Sequence, residues 1–270
     1  MGLDPGRYLE RDDAGSPQRV LVVEVDGAPP PPRRRFGKPK PKPADPAGAD
    51  PTVPLTTLTV IRPEPLGDEA AAQDWLAGLR DDSGRAGTEL AEALRLANRA
   101  IHAHRTSVLD PNLPDVAAEH ALAVRIGFGT GDELADGAFT EAFEVPRAAR
   151  RRRGEALRPQ ERLASVMRGD ERIAACELLI LRARADLDAA RTREAALQLS
   201  VALPALLAER AQFAADGQAE DLAALEERAG AVKIAADEAL AGDVSEARVA
   251  TTRETLEFAE RVLRRQRALG

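Results

Sequence analysis

The chain has 270 residues, 44% hydrophobic and 3% aromatic, with a formal net charge of −7. That hydrophobic share supports a buried core, the scarcity of aromatics argues against base-stacking platforms, and a single cysteine, Cys176, excludes an internal disulfide and a cysteine-rich zinc site. No apolar run approaches the ~18 residues of a spanning helix, and the opening residues carry neither a secretory nor a myristoylation pattern, so the expectation is a cytoplasmic protein of one or two domains without a transmembrane segment.

Residues 1–17 are polar and turn-rich and read as a flexible tail. An α+β domain is expected over 18–146. Its first strand is Arg19–Val25, β-branched and closed by the Asp26-Gly27 turn signal. Residues 27–52 read as a disordered insertion. They hold four consecutive prolines, then Arg33, Arg34 and Arg35, then Lys38, Lys40 and Lys42 alternating with proline. Proline fixes φ and removes a backbone donor, so this stretch cannot build a ladder or a core.

Leu55–Ile61 is the second expected strand, ended by Pro63 and Pro65. Asp68 then caps a helix through Arg80, with Trp75, Leu76 and Leu79 on one side. A longer helix, Thr88–Leu109, is expected to bury Leu90, Leu94, Ala97, Ile101 and Val108 and to stop at Asp110-Pro111. Ala121–Ile126 and Phe139–Val145 read as two further strands. A wide glycine-rich connection joins them, with Gly127, Gly129, Gly131 and Gly137 beside Asp132, Glu133 and Asp136. The order β-β-α-α-β-β predicts a small, mainly antiparallel sheet with two helices.

Residues 147–169 form a basic linker, with a short helix over Pro159–Met167 ended by Gly169. Residues 170–270 predict an all-α antiparallel helical bundle. Asp170 is expected to cap its first helix, whose stripe is Ile173, Cys176, Ile180, Ala183 and Leu187. The second carries Ala196, Leu199, Leu203 and Leu206, with a kink or break at Pro204. The third carries Leu222, Leu225, Ala229, Val232, Ala236 and Ala239. Asp243 and Glu246 form a capping box for the fourth, which carries Val249, Leu256, Ala259 and Leu263. Ala189–Ala195 and Ala241–Ala247 each place a turn before Glu-Ala, and each locally resembles the inter-helix turn of a tetratricopeptide hairpin. That family repeats at about 34 residues, whereas these turns are 52 apart, so the reading is two long helical hairpins.

Gly127, Gly129, Gly131 and Asp132 invite comparison with phosphate-cradling loops. The dinucleotide fingerprint needs glycine where Asp132 stands, and the NTPase loop needs a Gly-Lys-Ser or Gly-Lys-Thr that is absent. Three neighbouring carboxylates also repel phosphate, so a hairpin connection is the favoured reading. On a helix, His102 and His104 lie about 200° apart and cannot share a metal. His104 falls in the apolar stripe and reads as a packed core histidine; Cys176 likewise reads as a small core residue. No catalytic residue, cofactor or metal site is expected.

The basic segments are the most distinctive features. Pro29–Pro43 holds three Arg and three Lys and no acid, and Arg147–Arg172 holds nine Arg against four acids, which leaves the remainder strongly acidic. Candidate partner- or polyanion-binding residues are Arg33, Arg34, Arg35, Lys38, Lys40, Lys42, Arg150, Arg151, Arg152 and Arg153, weighed against simple solvation of a charged linker. Lysine is otherwise confined to Lys233, an arginine bias that GC-rich bacterial genomes write. The expected function is a non-enzymatic interaction or adaptor protein, its helical hairpins binding a protein partner or a second copy. The alternative is association with nucleic acid or another polyanion through 33–42 and 147–153. A further alternative is an enzyme of unknown class with a site near the 127–136 loop and His104.

Overall fold

Three segments, Gly6–Arg11 (β1), Pro17–Asp26 (β2) and Leu55–Ile61 (β3), pair as an antiparallel sheet ordered β1-β2-β3. The computed structural model describes residues 3–12, 14–27, 54–146, 159–209 and 218–269. The chain divides into two compact units, Met1–Arg147 and Ala148–Gly270. In the first, Leu21 opposes both Tyr8 and Val60, and Val23 opposes Leu58, which places these side chains on one face of the sheet.

Asp68 accepts from Ala71 N at 2.9 Å and starts helix α1, Glu69–Asp81. Asp82 then ends that helix and caps α2, Ser83–Val108, by accepting from Gly84 N and Arg85 N. The α2 helix therefore begins five residues before the expected Thr88, because Asp82 supplies the orphan first-turn amides with an acceptor. Leu96, Ala97 and Ile101 join Leu3, Leu21 and Val23 in one core, each large side chain contributing about 1.5–3 kcal/mol by burial. Leu90 and Leu94 are only half-buried and Val108 is 51% exposed, so the buried stripe is shorter than its sequence spacing predicts.

Arg125–Phe128 (β4) and Glu141–Glu144 (β5) form a separate two-stranded antiparallel sheet. Both are shorter than expected. Between them stands a single-turn helix, α3, Gly131–Ala135, in place of a wide loop. The flexible tail expected at 1–17 instead contains a strand. Gly6–Arg11 is a full strand, and a turn held by Ser16 N donating to Asp12 Oδ1 at 2.7 Å returns the chain into β2. The turn signals masked a strand that lacks apolar/polar alternation and is templated by its neighbour. The expected disordered insertion at 27–52 lies, apart from Gly27, outside the described residues.

The second unit is helical: α4 Pro159–Arg168, α5 Ala175–Asp188, α6 Thr192–Ala208, α7 Ala219–Ala241 and α8 Glu246–Leu269. Each of α5 to α7 packs on the next, and α8 returns against α5 and α6, which closes the bundle. Cys176, Ile180, Leu199, Leu206, Leu225, Leu256 and Val262 fill its core with no exposed surface. Asp170 does not cap α5. It accepts from Arg168 instead, the helix starts at Ala175, and Ile173 is left 50% exposed. The α6 helix runs through Pro204 without a break; the proline sits on the exposed side, where water can take the carbonyl it leaves unpaired. The start of α8 is made by the Ser245 carbonyl rather than by Asp243, with Ser245 itself held by Glu238. Among the described residues, no helix is long and apolar enough to cross a membrane.

Candidate functional site

The α6 helix has two apolar faces. Ala195, Leu199, Ala202 and Leu206 point into the bundle and are fully buried. Leu197, Val201, Pro204 and Ala208, spaced four, three and four apart, line another face of the same helix. Of these, Val201 is 58% exposed, Pro204 and Ala208 are also exposed, and Leu197 is half-buried against Ala196, Ala235 and Ala239. On neighbouring helices Ile234 is 48% exposed, and Leu178 and Leu181 of α5 are 48% and 59% exposed. A second apolar stripe on a packed helix is ordinarily covered as the first is, so this outer face is the candidate functional surface of the unit.

One end of the bundle is a polar clamp. The Glu177 carboxylate, in the first turn of α5, accepts from Arg162 of α4 at 2.7 Å and from Arg267 of α8 at 2.8 Å. It also accepts from Ala174 N at 3.2 Å, giving a start-of-helix acceptor that Ala174 cannot provide. Burial pushes this carboxyl upward, and the hydrogen bonds from Arg267 and Arg162 outweigh it, holding the group below the usual carboxylate range. Beside it the Cys176 thiol is pushed up to about 12, first by burial and then by the Glu209 carboxylate. A thiol so placed stays protonated at neutral pH and is no nucleophile. His104, expected as a packed core histidine, is half-buried on α2 of the first unit.

The glycine positions have structural causes. A Cβ on Gly127 would stand 2.6 Å from Ala142 Cβ across the β4–β5 pair, so only glycine lets these strands approach. Gly131 has φ 38, a left-handed conformation that opens α3. The acids beyond it face a cation within the chain: Arg7 reaches Asp132 at 3.4 Å and Asp136 at 3.3 Å. Thr130 donates to Glu133 at 2.7 Å. Carboxylates at the mouth and a five-residue helix do not make an anion cradle. Among the described residues, no group of three or more His, Cys, Asp or Glu is arranged to hold a metal ion.

Arg33, Arg34, Arg35, Lys38, Lys40, Lys42 and Arg150 to Arg153 lie outside the described residues. Sequence reasoning missed the outer face of α6 and the Glu177 clamp. The first was visible as a second set of three- and four-residue spacings interleaved with the buried one. The second joins residues 15 and 90 positions apart and has no local signal. No protein-family model, no curated protein and no solved structure matches this chain.

Proposed function

We propose that this chain is a non-enzymatic interaction protein whose helical unit docks a protein partner or a second copy through the outer face of α6. The observation that carries this reading is the exposed row Val201, Pro204 and Ala208 on a helix whose opposite face already fills the core. Covering half-exposed Val and Ile side chains contributes roughly 1 kcal/mol each, and a handful of them suffices for a stable contact. The clamp at Glu177 fixes the helix ends, so that such a face is presented rigidly.

The test is a photo-crosslinking residue placed in turn at Val201, at Ile234 and at the exposed Arg253 of α8 in cells making the full chain. Discrete crosslinked species should arise from positions 201 and 234 and not from 253. The same bands from all three, or none from 201, would reject the reading.

A further inference from the structure

Among the described residues, the sheet of the first unit ends at β1 on one side. This strand pairs with β2 alone among the described residues, so alternate N–H and C=O groups of Gly6–Arg11 have no ladder partner on the outer side. Proteins commonly blunt such edges with proline, bulges, charged side chains or a covering element. Here Gly6–Arg11 contains no proline, its one register irregularity falls at the very end, between Glu10 and Arg11, and the charges of Arg7 and Glu10 are paired within the chain.

Alongside this edge runs a groove of about 170 Å3 between β1 and α2. Three consecutive strand residues, Tyr8 to Glu10, line it. Successive side chains of a strand point to opposite faces, so a wall made by all three includes main-chain atoms of β1. Leu21 and Leu96, 1% and 8% exposed, contribute apolar lining, and Ala100 and Ala103 of α2 add small side chains. Small-molecule and cofactor sites are usually larger, roughly 300–1,000 Å3. A groove of this size takes one or two side chains, not a cofactor.

Charge selects among segments that could lie there. The Arg99 side chain, which also lines the groove, pairs with Glu10 and is 63% exposed against 15% for its partner. Arg95, one turn away, is 47% exposed against 28% for Glu92. In each pair the guanidinium is the more exposed member, so an approaching chain meets positive charge first.

We propose that this groove binds an extended acidic–apolar segment of a partner protein, which adds to the sheet along β1 and lays an apolar side chain against the exposed Tyr8 and Ala103. Main-chain hydrogen bonds to the open edge supply affinity, the groove selects every second side chain, and Arg99 and Arg95 favour Asp or Glu. The site is on the other unit from the α6 face and stands independently of it.

The test is selection of displayed random decapeptides on the full chain, with counter-selection on Ala103→Glu. Position 103 is exposed on α2, so the substitution blocks the groove and repels acid while the helix stays intact by circular dichroism. Enriched peptides should alternate apolar residues, carry Asp or Glu, and bind Ala103→Glu at least about tenfold more weakly, a loss of ~1.4 kcal/mol. Methylating every second backbone nitrogen of such a peptide should abolish binding in one phase and spare it in the other. The proposal is overturned if no peptide prefers the unmodified chain, or if N-methylation shows no alternation. It is equally overturned if the edge is occupied by a second copy, read as a dimer that Ala103→Glu dissolves.

Discussion

Replacing Glu177 by Gln changes one carboxylate oxygen of the clamp to an amide nitrogen and removes the negative charge both arginines face. The Glu177 side chain is 4% exposed and holds Arg162 at 2.7 Å and Arg267 at 2.8 Å, joining α4 and α8 to the first turn of α5. Glutamine keeps the shape and one acceptor oxygen, so no cavity opens and the loss is electrostatic. Breaking a buried ion pair from one side costs about 3–5 kcal/mol. Two features reduce that figure. Arg162 keeps Glu171 at 2.7 Å, and the two arginine side chains are 23% and 27% exposed, so water recovers part of their solvation. The expected loss is therefore ~2–3 kcal/mol, which for a unit of this size lowers Tm by roughly 10 °C. Thermal unfolding of the full chain, followed by far-UV circular dichroism, reads it.

The pH dependence has a fixed sign. Glu177 is held below the usual carboxylate range in the folded state, so its contribution is complete above the unfolded pKa of about 4.3 and is lost as pH falls through the folded value. Glu177→Gln should cost most at neutral pH and less at about pH 3, below the unfolded pKa. A loss under about 0.5 kcal/mol at pH 7, or the same loss at both pH values, would refute the electrostatic account of the clamp.

Two other expectations concern residues with clear geometry. Cys176 is fully buried with its thiol near 12, so iodoacetamide should leave the native chain unmodified and react once denaturant is added; prompt reaction of the native chain would contradict the packing. Gly127→Ala forces a Cβ to 2.6 Å from Ala142 Cβ and should destabilise the first unit by ~2 kcal/mol, measured by denaturant unfolding, with an unchanged midpoint as the opposing result.

The bundle was legible because burial in a helix leaves a periodic trace. Cys176, Ile180, Ala183 and Leu187, like Leu199, Leu203 and Leu206, keep spacings of three and four, and all are buried. Helix starts were less legible, since several side chains compete to cap. Asp170 satisfied the pattern, yet Glu177 supplies the acceptor from inside the helix. The first strand was hidden because Arg7, Tyr8, Leu9 and Glu10 carry no alternation of their own, and pairing with β2 supplies what local pattern lacks. Long-range electrostatics left no trace at all. Nothing near Asp132 announces that Arg7, 125 residues earlier, will sit against it. The outer face of α6 was present in the spacing of Leu197, Val201, Pro204 and Ala208, but a helix shows one stripe to a reader looking for one core.

Coverage of that face is open to direct measurement, because the only native cysteine, Cys176, is buried. A Val201→Cys chain presents one reactive thiol on α6, and Arg253→Cys presents one on the exposed side of α8. In native extract, a maleimide should label position 201 far more slowly than position 253, with the difference vanishing in dilute purified protein. Equal labelling rates at the two positions in native extract would contradict a covered α6 face.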